Sequence, residues 1–432
     1  MKKIIILFAV YSCITLVLLS CGEKKNFEIT NDLFYEASQP LLPVLTLKDK
    51  NKVVQIKLTI PKEKSDIVVT AMDFDLEGTT DLKDITAIEI YSSYKEPRFE
   101  TGIKFGKSDG ITSKIQIKGH QLLQEGDNYF WLSMALKDSL KLTNKISASS
   151  VSITMSNGQI LKPTITGSQN IQRIGVALRQ HKQDDVDTYR IPGLVTTTKG
   201  SLLAVYDNRY KGSVDLQADA DVGMSRSTDG GTTWEPMKVI MDMGEYGGKP
   251  QNENGIGDPS ILVDRKTGTI WVAAVWAHGH PGERNWHASK PGMTPEETSQ
   301  FVLVKSEDDG LTWSDPINIT SQIKKPEWQL VLQGPGKGIT LKDGTLVFPA
   351  QYKDAGLSWE IGTGARSNTT EAQVVQLEDE SLMLNMRDNR GGARAVAITK
   401  DLGQTWEEHS SSRKALIEPV CMASLISLDH TE

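Results

Sequence analysis

The sequence predicts an all-β protein, an N-terminal β-sandwich followed by an incomplete β-propeller, on two observations. Between residues 31 and 168, brief apolar runs such as VVQIKLTI, ITAIEIYSS and VSITM alternate with clusters of Gly, Asn, Asp and Lys. This spacing is typical of the short strands of an antiparallel sandwich. From residue 171 to 432, similar runs are joined by a turn motif that repeats. A chain of 432 residues is long enough for two or three such domains.

The pattern of residues 1–20 predicts a lipoprotein-type signal peptide. Two lysines precede an apolar run over residues 4–19, which is shorter than the roughly 20 residues that a membrane span needs. The sequence LLSCG around Cys21 resembles a bacterial lipoprotein signal, in which this cysteine is acylated; the alternative is an ordinary signal peptide with an incidental cysteine. Residues 21–30 are polar and suit a tether. We therefore expect an exported protein that a lipid anchor holds to the membrane, in the periplasm or at the cell surface.

Charge and composition argue against several other classes of protein. The formal net charge of −7 disfavours a nucleic-acid partner, because such binding requires Lys and Arg to neutralise phosphates. Outside the predicted signal and its edge, Cys421 is the remaining cysteine, so no internal disulfide is expected. The histidines of the WAHGH region fit no metal-ligand spacing, and the sequence contains no Walker, Cys-x-x-Cys or Gly-x-Ser-x-Gly motif. We expect neither a metal nor a cofactor.

The repeated turn motif, S/T-x-D-x-G-x-T-W, occurs at 227–234, 306–313 and 399–406, with a weaker copy at 352–359. Its residue types suit a tight hairpin corner. Asp accepts hydrogen bonds from amides further along the turn, Gly adopts a positive φ, and Trp supplies a large apolar anchor. We interpret the motif as a structural unit and not as a catalyst.

The spacing of the motif predicts propeller blades. Three apolar segments precede each full copy, such as IPGLVTT, SLLAVYDNR and VGMSRS before the first, and repeats of roughly 40 to 50 residues are typical of blades. The weak copy follows a segment with room for two strands, and CMASLISLDHTE offers one strand of a further blade. We therefore expect an incomplete propeller and a chain that is a C-terminally truncated copy of a longer protein.

The stretch YRIPGL at 189–194, followed by these Asp-box turns, resembles the sialidase (neuraminidase) family, and in particular its bacterial exported members. The likeness runs from about residue 172 to the C-terminus. It implies a six-bladed propeller over 171–432 and a carbohydrate-binding-like sandwich over 31–168. It also implies an exo-sialidase that hydrolyses terminal sialic acids of glycans, glycoproteins or glycolipids with retention of configuration.

The resemblance assigns three arginines to the substrate. Arg190 of the YRIP motif and Arg387 of LNMRDNRGG would bind the carboxylate of sialic acid, because guanidinium groups stay charged and match a carboxylate with paired donors. Arg209 would contact a ring hydroxyl. The alternatives are a surface ion pair of Arg190 with the aspartates just before it, and a solvated strand-end position for Arg387.

Two carboxylates carry the predicted chemistry. By resemblance, Asp215 is the acid/base that protonates the leaving oxygen, a role that requires a raised pKa; Asp219 and Asp221 are its competitors. Glu371 is the base that removes a proton from a nucleophilic tyrosine, which sialidases use in place of a second carboxylate. The alternative for Glu371 is an edge residue in solvent.

Other features of the pattern are less complete. Asp258 and Gln333 are expected to start strands of the second and third blades and are further candidates for substrate contacts, with turn formation as the alternative. The third carboxylate-binding arginine and the nucleophilic tyrosine of the family are expected beyond residue 432, since Arg390, Arg394 and Arg413 lie outside the expected context. Two further functions stay open: a sialic-acid-binding propeller without turnover, and a trans-sialidase or anhydrosialidase relative.

Overall fold

The computed structural model of the protein describes residues 33–62, 66–166, 171–280, 282–354, 358–360, 364–418 and 420–426. The predicted signal peptide, the tether and Cys21 lie outside these ranges. Helices are confined, in the described ranges, to α1 (Asn285–Ala288), α2 (Thr320–Ile323) and four short 3-10 helices (Leu82–Asp84, Phe99–Thr101, Gln183–Asp185, Gln251–Glu253). None of the helices among them is long and apolar enough to cross a membrane. The prediction of an all-β fold is confirmed.

The first strands of the chain are β1 (Phe34–Ser38), β2 (Val44–Thr46), β3 (Asn51–Ile60), β4 (Val68–Asp75), β5 (Ile85–Tyr94), β6 (Ile103–Lys107), β7 (Lys114–Leu122), β8 (Gly126–Leu136), β9 (Lys145–Ile146), β10 (Ser149–Met155), β11 (Ile160–Leu161), β12 (Thr164–Ile165) and β13 (Gln172–Val176). They are followed by β14 (Thr188–Thr196), β15 (Leu202–Arg209), β16 (Ala220–Ser227), β17 (Lys238–Met241), β18 (Ile256–Val263), β19 (Ile270–Trp276), β20 (Gln300–Ser306), β21 (Ile317–Asn318) and β22 (Leu330–Gln333). The last are β23 (Gly336–Lys337), β24 (Ile339–Thr340), β25 (Leu346–Val347), β26 (Ala350–Asp354), β27 (Ser358–Glu360), β28 (Thr369–Gln376), β29 (Leu382–Asp388), β30 (Ala395–Thr399) and β31 (Glu407–Glu408).

The chain divides into two compact units, one formed by residues up to 42, 50–134 and 146–172, the other by 43–49, 135–145 and the residues from 173 onward. The first unit is a sandwich of a six-stranded sheet, in the order β12-β1-β3-β8-β5-β6, and a four-stranded sheet, β11-β10-β4-β7. Alternate residues of β3 point to opposite faces, so Ile56 and Leu58 are buried whereas Lys57 is partly exposed. The Tyr35 hydroxyl bonds Ser150 of the other sheet.

The second unit contains the blades of a propeller. Blade 1 has the order β14-β15-β16-β17, blade 2 has β18-β19-β20-β21 with β23 added beside β18, and blade 4 has β28-β29-β30-β31. Blade 3 is a three-stranded sheet of β22, β26 and β27 among the described residues. The predicted strand in CMASLISLDHTE is wrong for its described part, because residues 421–426 form no strand.

The blades pack through apolar faces of their strands. One continuous apolar cluster joins blades 1 and 2. Its fully buried members include Leu203, Val205, Val222, Ile261, Val272 and Val302. Burial of each such side chain contributes about 1.5–3 kcal/mol to the stability of the fold. The first strand of blade 1 approaches β23 closely at a glycine. A Cβ on Gly193 of β14 would clash with the carbonyl oxygen of Gly336 in β23, so a larger residue there would separate these strands.

The three full copies of the turn motif each begin at the last residue of a third strand and lead to the fourth. In the first copy, the Asp229 carboxylate accepts hydrogen bonds from the amide of Thr233 at 2.9 Å and from its hydroxyl at 2.6 Å. The amide of Gly231 donates to Ser227 Oγ at 2.9 Å, and Trp234 Nε1 donates to the Gly231 carbonyl at 3.0 Å. The interpretation as a hairpin corner is confirmed.

Candidate active site

A β-bulge interrupts the first strand of blades 1, 2 and 4 at one corresponding place. The register shifts between Arg190 and Gly193, between Gly257 and Ser260, and between Thr370 and Gln373. Inside these bulges a non-glycine residue has a positive φ: 55° at Ile191, 55° at Asp258 and 37° at Glu371. Bulges redirect side chains, and strained backbone of this kind is concentrated at functional sites. The bulges therefore mark the end of the blades at which the candidate residues lie.

Arg190 and Asp215 form an ion pair in the part of this end contributed by blade 1. Nη1 of Arg190 lies 2.8 Å from Oδ1 of Asp215 and 2.8 Å from the carbonyl oxygen of Ser213. Both side chains are more than a third exposed. The surface alternative for Arg190 is not realised at Asp184, which pairs instead with Arg179 at 3.1 Å. Arg190 thus reaches over 25 positions of the sequence to the loop that follows β15.

Arg209 lies beneath this pair and is 2% exposed. Its Nη1 donates to Asp215 Oδ1 at 2.9 Å, and its Nη2 and Nε donate to Asp207 Oδ2 at 2.7 and 3.0 Å. The other oxygen of Asp207 accepts from the backbone amide of Asp258 at 2.8 Å. Arg209 therefore holds two carboxylates, and Asp207 connects blade 1 to the bulge of blade 2.

Sequence reasoning missed Asp207. A signal was present in the sequence YDNR, because residues two apart in a strand share one face and Asp207 is therefore beside Arg209. A carboxylate next to an arginine inside an apolar strand has to be paired when the strand is buried. The ion pair between Asp207 and Arg209 is shown by the structure and not by the sequence.

Two aspartates of this network, Asp215 and Asp258, have opposite pKa shifts. Burial raises the pKa of Asp215, but the hydrogen bond and charge of Arg209, together with Arg190, outweigh burial and lower it overall. Burial and the repulsion from Asp207 raise the pKa of Asp258, and the negative charges of Glu371 and Asp215 add to this increase. Asp207, Glu371 and Asp215 are therefore all within electrostatic reach of Asp258.

Glu371 pairs with Arg387 in blade 4. Nη1 of Arg387 donates to Oε2 of Glu371 at 2.6 Å, and both side chains are partly exposed. The Nε atom of Arg387 is buried and has no hydrogen-bond partner among the described residues. Blade 4 therefore also contributes an ion pair at its bulge.

Gln333 is fully buried, at the end of β22 and not at the start of a strand as predicted. Its amide donates to the carbonyl oxygen of Asp258, whereas Asp258 itself lies within β18 and is partly exposed. The structure thus places Gln333 behind the bulge of blade 2, where it supports the backbone that carries Asp258. Its role as a substrate contact stays a prediction.

The competing aspartates lie in other surroundings. Asp221 is 4% exposed and accepts a hydrogen bond from the Tyr210 hydroxyl at 2.9 Å. Burial and the charge of Asp242 raise its pKa to about 7. Asp219 pairs with Lys211 at 3.2 Å. Although Asp221 has the raised pKa that an acid requires, its burial separates it from solvent, whereas Asp215 is accessible.

The remaining candidates of the C-terminal region are used within blade 4. Asp388 is fully buried between Arg413 at 3.1 Å, Arg390 at 3.2 Å and Arg366 at 3.4 Å. Arg394 is buried and donates to the carbonyl of Cys421 at 2.7 Å. Three of these arginines neutralise Asp388, and Arg394, just before β30, connects to the chain at Cys421. We assign none of them as the third arginine that binds the substrate carboxylate.

No metal site emerges from the described ranges, in which no group of three His, Cys, Asp or Glu could hold an ion. His278 is buried, and its Nδ1 lies 2.6 Å from Asn254 Oδ1. Its ring also contacts Tyr246, with centroids 5.2 Å apart. His278 is therefore part of the packing of blade 2.

Comparison with known proteins identifies the family. Residues 191–416 match the model of a BNR repeat-like domain, and residues 33–159 match the N-terminal domain of BNR-repeat neuraminidase. A sialidase of Bacteroides fragilis is 43% identical over 99% of this chain and 84% of its own length. The chain belongs to the sialidase family. The resemblance drawn from YRIPGL and the Asp boxes is confirmed, and this sialidase is a glycoside hydrolase.

Further relatives of this sialidase agree on the family. A sialidase of Micromonospora viridifaciens is 32% identical over 55% of this chain and 38% of its own length. The solved structure of the Hadza microbial sialidase Hz136 is 41% identical, has a TM-score of 0.82, and matches 90% of this chain and 82% of that one. The individual roles of Asp215, Glu371, Arg190, Arg209 and Arg387 stay predictions.

Proposed function

We propose that the protein removes terminal sialic acids from glycoconjugates by a retaining mechanism at the bulged end of the blades. The observation that carries the proposal is the shared contact of Arg190 and Arg209 with one accessible carboxylate, Asp215. This arrangement combines a guanidinium for an anionic substrate with an acid/base group next to it. An acidic sugar with a carboxylate on its anomeric carbon requires both.

Arg190 and Arg387 would bind the substrate carboxylate. Each is partly exposed, and within the described chain each makes its side-chain hydrogen bonds through Nη1. The Nη2 group of each guanidinium is then left for carboxylate oxygens, which accept hydrogen bonds from guanidinium groups well. Arg209 has a different role in this proposal, because its burial and its bonds to two carboxylates suit support of Asp215 better than contact with a ring hydroxyl.

Asp215 would gain its proton as substrate binds. Before binding, Arg209 and Arg190 keep its pKa low. A substrate carboxylate at Arg190 adds a like charge and offsets the positive charge of the guanidinium, and both effects raise the pKa of a neighbouring acid. Protonated Asp215 would then donate to the leaving glycosidic oxygen and later, as a carboxylate, activate water.

Glu371 would act as the base for a nucleophilic tyrosine, a residue that the family resemblance implies and that we assign to no position in the described chain. Its 2.6 Å contact with Arg387 holds one carboxylate oxygen and leaves the other for a hydroxyl proton. A neutral tyrosine avoids the repulsion that a carboxylate nucleophile would meet from the substrate's own charge.

The decisive test compares two leaving groups. Asp215→Ala is expected to lower kcat/KM about 10²- to 10⁴-fold for sialyl-lactose, whose sugar alkoxide needs a proton, and far less for a 4-nitrophenyl sialoside, whose phenolate leaves unprotonated. Asp219→Ala, in the same loop, is the matched control and should change neither. Equal losses on both substrates would contradict the acid/base role.

The same reaction mixtures distinguish the alternative functions. Mass spectrometry of the product separates free sialic acid from an anhydro sugar or from a sialoside transferred to added lactose. Saturable binding of sialyl-lactose with no product at all would identify a binding protein and overturn the hydrolase proposal.

Membrane attachment is a separate proposal, supported by the apolar run over residues 4–19 and the LLSCG sequence around Cys21. Acylation of this cysteine would anchor the exported protein in the periplasm or at the cell surface. In cells fed an alkyne-labelled fatty acid, the wild-type protein should become labelled and sediment with membranes. Cys21→Ser should abolish both results, and unchanged sedimentation of this variant would refute the anchor.

A further inference from the structure

The loop that carries Asp215 buries the two residues that follow it. Val214, just before Asp215, is 62% exposed, whereas Leu216 and Gln217 are each 5% exposed. A surface loop between two strands has no need to bury a leucine and an amide side by side. Their burial beside the predicted acid suggests that they hold it in place.

Leu216 inserts into an apolar cluster built by three blades. The cluster contains Val275 and Ala277 of blade 2 and Leu330 of blade 3, with Trp286 of α1 packed against it. The residue just before β18 also lies close, because a Cβ on Gly255 would be 2.9 Å from a methyl carbon of Leu216. The position of this leucine therefore depends on neighbouring blades and not on its own loop alone.

Polar contacts fix the same two residues. The amide of Gln217 donates to the carbonyl of Glu283 at 3.0 Å, and the carbonyl of Leu216 accepts from the amide of Asn285 at 2.5 Å. When the side-chain amide of Gln217 is oriented to match its neighbours, its nitrogen donates to the Ala277 carbonyl at 2.7 Å and its oxygen accepts from the Gly255 amide at 3.1 Å. The connection between β19 and β20 thus pairs with the loop of Asp215.

The preceding residues of the loop are held from the opposite side. The carbonyl of Ser213 accepts from Arg190 at 2.8 Å and from Arg209 at 3.1 Å, and the carbonyl of Val214 accepts from Arg209 at 2.7 Å. Asp215 therefore lies between a segment tied to guanidinium groups and a segment tied to blade 2. A shift of either segment would move the carboxyl group.

We propose that Leu216 and Gln217 are positioning residues that hold Asp215 at the leaving oxygen, and that Trp286 and the backbone of 283–285 set this position from blade 2. The proposal rests on the acid/base role of Asp215. A displacement of about 1 Å in a catalytic group costs on the order of 10²-fold in rate. The loss should fall on kcat for substrates that need a proton and leave KM nearly unchanged, because the carboxylate-binding arginines stay in place.

Leu216→Ala tests the proposal with the two leaving groups used for Asp215. We expect kcat for sialyl-lactose to fall by at least about 10-fold, with less than a two-fold change for the 4-nitrophenyl sialoside. Trp286→Ala should act in the same direction, and Leu216→Met, which refills the cluster, should restore most of the rate. If Leu216→Ala does not fold, Leu216→Val and Gln217→Leu provide the same comparison.

Leu203→Ala is the matched control. Leu203 is fully buried in the core of blade 1, so its truncation also loosens the fold but should lower both activities equally. Equal losses on the two substrates in Leu216→Ala, in proportion to the folded fraction measured by circular dichroism, would overturn the positioning role. If Asp215→Ala itself shows no dependence on the leaving group, the acid/base role fails; if only Leu216→Ala lacks it, the positioning role alone fails.

Discussion

The Asp-box corners and the bulged end of the blades use aspartate in opposite ways. At a corner, the carboxylate of Asp308 bonds the amide and hydroxyl of Thr312, four positions away, at 2.8 and 2.5 Å. At the bulged end, Asp207 bonds a backbone amide 51 positions away, in another blade. The corner is complete within one turn of chain, whereas the network of the candidate active site exists only when the blades are assembled.

The electrostatics of the two regions follow from this difference. Hydrogen bonds from threonine lower the pKa of Asp229, Asp308 and Asp401 to about 2, because they favour the charged form of an exposed carboxylate. At the bulged end, burial and neighbouring carboxylates raise the pKa of Asp258. The corners thus favour the charged form of all three of these aspartates, whereas the bulged end raises the pKa of Asp258 and lowers that of Asp215.

The largest expected effect is at Arg209. Arg209→Met leaves the buried carboxylate of Asp207 without its cation, which should lower the free energy of unfolding by about 3–5 kcal/mol. It should also reduce kcat/KM more than about 10²-fold, because Asp215 loses a partner that fixes its position. Denaturant unfolding and turnover of sialyl-lactose measure the two effects.

The double variant Asp207→Leu/Arg209→Met separates the loss of stability from the loss of activity. Removing both charges should recover part of the stability, since the uncompensated buried carboxylate is gone, but it should not recover activity. A single variant that stays as stable and active as the wild type would contradict the view that the bulged end depends on this long-range network.

An intermediate effect is expected at Arg226, which joins a corner to its neighbouring blade. Its Nη2 donates to Asp309 in the second Asp box at 2.6 Å, and its Nη1 donates to Glu235 at 2.6 Å. Arg226→Met removes a hydrogen bond to a buried carboxylate and should cost about 1–3 kcal/mol in the free energy of unfolding. The kcat measured on folded protein should not change. A large loss of kcat would show that corners and active site are not separable.

The smallest effect is the pH dependence of the corners. Their aspartates have a pKa of about 2 in the folded protein, below the ordinary value of about 3.9, so the folded state gains stability above roughly pH 4 and loses it as the pH falls toward 2. A variant with Asp229→Asn, Asp308→Asn and Asp401→Asn lacks this gain. The difference in Tm between the wild type and this variant should be largest above pH 4 and should narrow as the pH falls toward 2. A difference that is constant with pH would refute the ionic contribution.

Recognition from sequence succeeded where the contacts are local. The corners were predictable because all their partners lie within eight residues, and short apolar runs separated by clusters of Gly, Asn, Asp and Lys predicted the sandwich. Positions such as Arg190, Asp215, Glu371 and Arg387 came from the resemblance to sialidases, and the structure brings them together in pairs. Asp207 had only the weaker signal of its place two residues before Arg209 in YDNR, and Leu216 had none.

Sequence by itself determined the strand content, the blade corners and the family, because side-chain alternation and turn chemistry depend on residues that are near in the chain. The tertiary structure alone decided that Arg209 is buried beneath Asp215, that Gln333 supports a bulge, and that Leu216 is anchored by three blades. Burial and the pKa of a carboxyl group depend on everything that surrounds it in space. Most of those neighbours are distant in sequence, so only the packed blades determine which aspartate can act.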